Sequence, residues 1–199
     1  MIRVIGGSLR GRKIKTLKGL ATRPVLARVR EALFNVLGDI TGYRVLDLYA
    51  GSGAMGIEAI SRGAGSAVFV DSGLHQCRLI RESLDVLGIE GEIIRSNAVS
   101  AVRKLGRAQR RFDFVFADPP YERGLGPATL QAVYESGILA DGGVMALTVR
   151  KNDPMPADIG SWKQVFNRGY GDTRIVMYGK YRKMEKNPKD SPQTPRRVA

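Results

Sequence analysis

Two rhythms of apolar residues divide the chain. In residues 25–37, "VLARVREALFNVL", Val25, Val29, Ala32, Leu33, Val36 and Leu37 recur at helical spacing, and Arg28, Arg30 and Glu31 fall outside that stripe. From residue 44 the rhythm changes to short, nearly unbroken apolar runs, each followed by a longer amphipathic stretch. "RVLDLYA" (44–50), "SAVFVD" (66–71), "GEIIRS" (91–96), "FDFVFA" (112–117) and "GVMALTV" (143–149) read as strands covered on both faces. Between them, helices are expected over 54–63, 74–88, 98–108 and 127–136. Two further strands, 162–170 and 173–181, follow one another without a helix. Such alternation implies an α/β domain with a mostly parallel seven-stranded sheet, helices on both faces and an antiparallel edge.

Ahead of this domain, residues 2–5 and 12–17 read as two short strands joined across "GGSLRG" as a hairpin. The expected division is a basic extension of hairpin and helix over 1–40, the α/β domain over 41–181, and a basic tail over 182–199. Pro188, Pro192 and Pro195 mark that tail as disordered.

Charge sharpens this division. The 199-residue chain carries a net charge of +13, but the first thirty residues hold nine Lys/Arg and no acid. Residues 180–199 hold seven basic and two acidic side chains, and the stretch between is nearly balanced, with 16 and 17. The charge therefore sits at the two ends of a neutral body. A mobile basic tail serves solubility as readily as binding. In the first thirty residues, however, apolar residues and glycines are woven among the charges, which implies a folded basic surface suited to a polyanion. Arg10, Arg12, Lys13, Arg23, Arg28 and Arg30 are the candidates for it.

Composition removes several classes. Cys77 is the lone cysteine, so no intrachain disulfide forms, and His75 beside it does not make a zinc site; no metal is expected. No apolar run approaches a membrane span and the amino terminus lacks the apolar core of a signal peptide, so the cytoplasm is the expected location.

Ligands of open α/β sheets sit beyond the carboxyl ends of the strands. Three of those ends carry suitable residues here. After the first strand of the domain, "LDLYAGSGAMGIEA" contains Gly51, Gly53 and Gly56 as G-x-G-x-x-G, which lets the backbone approach a ligand at a helix N-terminus. Asp71, twenty residues beyond Gly51, ends the second strand, where a carboxylate can accept from both hydroxyls of a ribose. "SNA" (96–98) follows the third strand, where an adenine ring is expected. Thus far a nicotinamide dinucleotide and an adenosine-bearing methyl donor fit alike. Asp47, four residues before Gly51, separates them. An acid is unhelpful beside an anionic pyrophosphate, whereas the ammonium and sulfonium of S-adenosylmethionine favour it. The plainer role for Asp47 is to brace the turn.

The fourth strand ends on an odd corner, "VFADPPYERG" (115–124). Prolines stop strands and an acid can begin a turn, which is one account of it. Beside a methyl donor the corner acquires a chemical sense. The lone pair of an exocyclic amine on a nucleobase is delocalised into the ring, so its transfer chemistry needs help to pyramidalise the nitrogen. Acceptors aimed at the two amino hydrogens supply that help. Asp118 and the Pro119 carbonyl are the candidates, Pro119-Pro120 stiffens them, and Tyr121 offers a face for stacking.

"DPPY" resembles the D/N-P-P-Y/F/W motif of amino-group methyltransferases acting on nucleic acid. Together "RVIGGSLRGRKI", "RVREALFNVL", "LDLYAGSGAMGIEA" and "ADPPY" resemble the bacterial RsmD-type methyltransferases, which modify N2 of one guanine in small-subunit ribosomal RNA; the resemblance covers residues 1–181. It implies a Rossmann-like class I methyltransferase fold, S-adenosylmethionine as cofactor, and ribosomal RNA as partner, free or within a small-subunit assembly particle, with the enzyme a monomer. By the same resemblance Asp47, Tyr49, Ala50, Gly51, Ser52, Gly53, Asp71, Ser72, Asn97 and Ala98 fall on cofactor positions, and Asp118, Pro119, Pro120 and Tyr121 on catalytic ones. The chain departs from the family's pattern at "VLA" (25–27), where a Thr/Ser- and Asp-containing run is usual, and at Gly73, often an acid. Adenine-N6 or cytosine-N4 methylation of DNA is the near alternative, a nicotinamide oxidoreductase or a non-enzymatic RNA-binding module the distant ones.

Overall fold

The computed structural model describes residues 2–16, 24–120 and 124–180, with residues 24–26 described in their backbone alone. The hairpin is formed by β1 (Ile2–Arg3) and β2 (Lys13–Ile14), paired antiparallel. Helix α1 (Pro24–Leu37) follows, and then β3 (Arg44–Leu48), α2 (Ala54–Ser61), β4 (Ser66–Asp71), α3 (Leu74–Leu87), β5 (Glu92–Arg95) and α4 (Ala98–Arg107). The chain continues through β6 (Phe112–Ala117), α5 (Leu125–Ser136), β7 (Leu139–Arg150), β8 (Asp158–Ile159), β9 (Trp162–Tyr170) and β10 (Thr173–Lys180).

One sheet holds β3 to β10 in the order β5-β4-β3-β6-β7-β10-β9-β8. Strands β3 to β7 run parallel, and β10, β9 and β8 add an antiparallel edge. The seven expected strands are all present; the eighth, β8, is a two-residue pairing of Asp158 and Ile159 against β9, too short to leave a pattern in the sequence. Among the described residues, no helix is long and apolar enough to cross a membrane.

Alternate residues of each central strand feed two cores, one on each face of the sheet. Val45, Phe69 and Phe114 pack under α1, α2 and α3 with Leu33, Phe34, Ile57 and Ile80. Leu46, Val68 and Val115 pack under α4 and α5 with Val102, Leu105 and Leu130. The hairpin belongs to the first core, because Val4 and Ile14 are buried in it. The extension is thus fastened to the same hydrophobic body that forms the sheet.

The buried face of α1 differs from the expected stripe. Val29, Arg30, Leu33 and Phe34 are buried, while Val36 and Leu37 are only partly so. The helix is rolled towards Phe34, which packs edge-on against Phe114 with ring centroids 6.4 Å apart. The roll carries Arg30 inwards with it.

Candidate functional site

Strands β3 and β6 are neighbours, with Leu48 paired to Ala117. From β3 the chain moves out through β4 and β5, and from β6 it moves the opposite way to β7. This reversal is where open α/β sheets bind ligands. It brings the glycine turn and the Asp-Pro-Pro corner together, although 67 positions separate Gly51 from Asp118.

A cavity of about 400 Å³ opens at this point. Asp47, Tyr49, Ala50, Gly51 and Ser52 line it from the turn, Asp118 from the end of β6, and Thr148 from β7. Its far wall is unexpected: Ile2, Arg3, Ile5 and Thr16 of the hairpin region and Val29 and Arg30 of α1 close it. The size suits a small-molecule ligand. Among the described residues, Gly53, Asp71, Ser72, Asn97 and Ala98 do not line it and stand at or beside the adjoining strand ends.

The three glycines of the turn have separate duties. Gly51 and Gly53 hold φ of +57° and +73°, a region that L side chains adopt only under strain. Gly56 is instead a contact: a Cβ there would lie 2.3 Å from the Phe69 ring. Tyr49 takes φ +58° as well, and its hydroxyl is hydrogen-bonded to Thr129 Oγ1 at 2.8 Å.

Asp71 fastens the turn from the neighbouring strand. Its Oδ2 accepts from Gly51 N and its Oδ1 from Gly73 N, both at 2.8 Å. An ionised carboxylate has lone pairs to spare after two such bonds, so it can still accept from a ligand hydroxyl. Asn97 has a backbone duty too, capping α4 by accepting from Val99 N and Ser100 N. Ala98 is buried and Ser72 exposed.

Asp47 is 1% exposed, and its Oδ2 accepts from Gly56 N at 3.0 Å. It therefore braces the turn and faces the cavity at once. Burial pushes its pKa up to about 8, opposed by the Gly56 bond and assisted by the charges of Asp118 and Asp71. Burial thus disfavours the charged form of Asp47, and a cation placed beside it would favour that form.

Asp118 sits where β6 ends. Its backbone N lies 3.5 Å from Leu48 O, and Thr148 Oγ1 donates to its Oδ1. Burial raises its pKa, and the Thr148 bond works against that rise. Pro119 and Pro120 line a second cavity of about 150 Å³, shared with Thr148 and Asp153. Tyr121 lies outside the described residues.

Of the basic candidates, Arg10, Arg12, Lys13 and Arg28 are exposed, with one Arg12 Nη donating to Val86 O at 3.1 Å. Arg23 and the tail 182–199 lie outside the described residues. Arg30 is a correction. At 5% exposure it faces inward, Nη2 donates to Arg3 O at 2.7 Å, and Nε lies 3.3 Å from Glu58 Oε2. It cannot be presented to an RNA backbone. Its position one turn before Phe34 places it on the rolled face of α1, and Glu58 supplies the counter-charge that a buried guanidinium needs.

Glu58 drew no notice in the sequence and is the hub of this region. Fully buried, it accepts from Ile5 N and Gly6 N at 2.8 Å each and pairs with Arg62 at 2.9 Å as well as with Arg30. It joins the hairpin, α1 and the helix that grows out of the glycine turn. A signal existed: an acid in "AMGIEAIS", a helix with apolar residues all round, must find partners inside.

Comparison with known proteins places these features in a wider group. Ribosomal RNA small subunit methyltransferase D of Escherichia coli strain K12 is 33% identical over 180 residues, covering 89% of both chains. The solved structure of yhhF from Escherichia coli superposes with a TM-score of 0.78 at 32% identity, covering 90% of this chain and 97% of that one. A hypothetical protein from Thermus thermophilus gives a TM-score of 0.77 at 29% identity, covering 89% and 98%. The architecture is the Rossmann-like methyltransferase fold. The family model described as Conserved hypothetical protein 95 matches residues 2–179, and the chain belongs to that family, the RsmD family.

Proposed function

We propose that this protein transfers a methyl group from S-adenosylmethionine to the exocyclic N2 amine of a guanine in small-subunit ribosomal RNA. The observation that carries this reading is the shared cavity: the glycine turn with Asp47 and the Asp118 corner open into one space at the switch point of the sheet. The name of the Escherichia coli relative supports ribosomal RNA as the substrate.

The residues present fit the cofactor. Asp47 is positioned to meet a cation, and Asp71 keeps lone pairs for the ribose hydroxyls beyond its two backbone bonds. When bound, S-adenosylmethionine would supply an electrophilic methyl on a sulfonium and leave as a neutral thioether, and the methylated nitrogen, cationic at that point, would lose one amino proton to solvent. Asp118 Oδ2 and the Pro119 carbonyl accept from the two amino hydrogens, which lets the nitrogen lone pair leave conjugation with the ring. The pyrrolidines hold that pair of acceptors stiffly. Residues 1–40 present the RNA through Arg10, Arg12, Lys13 and Arg28, and residues 41–181 carry the chemistry. In this reading the enzyme works as a monomer in the cytoplasm, on free RNA or on an assembling small-subunit particle.

The test is transfer of tritium-labelled methyl from the donor to small-subunit RNA, assembly particles and DNA, followed by nucleoside mass spectrometry. N2-methylguanosine in an RNA arm is the expected product. Label appearing as N6-methyladenine or N4-methylcytosine in DNA would overturn the substrate. Binding of a nicotinamide dinucleotide in place of S-adenosylmethionine would overturn the reaction class.

A further inference from the structure

We infer that Thr148 is a positioning residue for methyl transfer: its hydroxyl occupies Asp118 Oδ1 and thereby leaves Oδ2 as the acceptor that meets the substrate amine. The inference rests on the reading of Asp118 given above. Strand β7 runs beside β6 with Leu147 paired to Ala117, which sets Thr148 next to Asp118. Thr148 is 1% exposed, within a strand whose neighbouring residues Leu147 and Val149 are buried and apolar. A hydroxyl in such surroundings is unfavourable without a partner, and valine fills the same volume without that cost. Packing alone therefore does not account for threonine here. The hydroxyl finds its partner in Asp118 Oδ1.

Thr148 also lines both cavities, so the Thr148–Asp118 pair stands between the space beside the glycine turn and the space beside Pro119. The backbone of Asp118 is restricted by the following proline, but rotation of its carboxylate about χ2 is broad. The stiff χ1 of a β-branched residue, donating from a central strand, selects one orientation of that carboxylate. The charged and titratable groups around the same spaces are Asp47 and Tyr49 at the end of β3, Arg3 on the hairpin, Arg30 on α1, and Asp153 across the smaller cavity. Against that background the Thr148 bond holds the Asp118 carboxyl down, opposing its burial.

Three substitutions test this in the full chain with its RNA substrate. Thr148→Val should lower kcat by about tenfold to a hundredfold, the scale of one hydrogen bond to a charged group. Its affinity for S-adenosylmethionine should stay within about twofold, and the acid limb of the kcat profile should move to higher pH, since burial then acts unopposed. Thr148→Ser should restore kcat and the limb. A Thr148→Val enzyme with unchanged kcat and limb would overturn the inference. So would a Thr148→Ser enzyme as slow as Thr148→Val, because the methyl and not the hydroxyl would then matter. Should Thr148→Val fail to fold, as melting will report, Thr148→Ala takes its place and must show the same loss with Thr148→Ser active. Asp118→Ala separates the levels: if it stays active, the reading of Asp118 itself falls. If it is inactive while Thr148→Val is normal, only the role of Thr148 falls.

Discussion

Glu58→Gln is the most telling single perturbation of this molecule. It changes one oxygen to an amide nitrogen and leaves the shape alone. Glu58 Oε2 accepts from Ile5 N and Oε1 from Gly6 N, so whichever way the amide turns, one backbone N–H faces another donor. Arg30, 5% exposed, loses its carboxylate, whereas Arg62 keeps access to water. A lost bond to a charged acceptor costs about 1.5–3 kcal/mol. Breaking a buried ion pair by removing one partner costs about 3–5 kcal/mol, and because the two effects overlap, the larger is the estimate for the whole change. That is a large part of the roughly 5–15 kcal/mol that holds a domain folded.

The loss should be local in its first effect. The hairpin should separate from α2 before the sheet opens, so the Ile5 and Gly6 amides should exchange with solvent far sooner than those of β3. Urea unfolding gives the magnitude and hydrogen exchange gives the place. Replacing Arg30 by Met in the same chain should recover part of the loss, since it removes the uncompensated cation. A loss under about 1 kcal/mol, with Ile5 and Gly6 as protected as before, would refute the view that Glu58 holds the hairpin to the cofactor helix.

Asp71→Asn should cost about 1.5–3 kcal/mol in stability, because the carboxylate accepts from backbone donors on both its oxygens and the amide would turn its NH2 towards one of them; urea midpoints will decide, and an asparagine variant as stable as the wild type would contradict it. Calorimetry should show this variant losing affinity for S-adenosylmethionine as well. Asp47 carries a pH signature: its folded pKa of about 8 exceeds the unfolded value, so the folded state holds the extra proton and stability should fall as pH rises from about 4 to about 8, then level off. Asp47→Asn should flatten that slope and be the more stable protein above pH 8, as thermal melts across pH will show. Binding of S-adenosylmethionine at pH 7 should release protons, measured by calorimetry in buffers of different ionisation heat. Neutralising Arg10, Arg12 and Lys13 together should weaken RNA binding and reduce its salt slope by about 0.7–0.9 for each phosphate no longer neutralised. Because these three residues are not among those lining the cavity, cofactor affinity should hold; titrations at several salt concentrations will test both statements.

Most of the fold was legible because its signals are local. Strands such as 66–71 and 112–117 appear where the apolar runs place them, since a strand covered on both faces cannot contain much else. The glycine turn and the Asp-Pro-Pro corner were legible for the same reason: each is a short run whose backbone demands are written in its own residues. What the sequence could not convey is which distant groups meet. The roll of α1 follows from fitting Phe34 against Phe114, and it turned Arg30 from a surface residue into a buried partner of Glu58. The hairpin became a wall of the cavity because Val4 and Ile14 pack into the core. Burial raised the pKa of Asp47, and the neighbouring strand supplied Thr148 to Asp118. These are properties of solvent exclusion and of packing across the sheet, and neither exists until the chain has folded; the sequence determined the elements and their turns, and tertiary packing decided the electrostatics of the site.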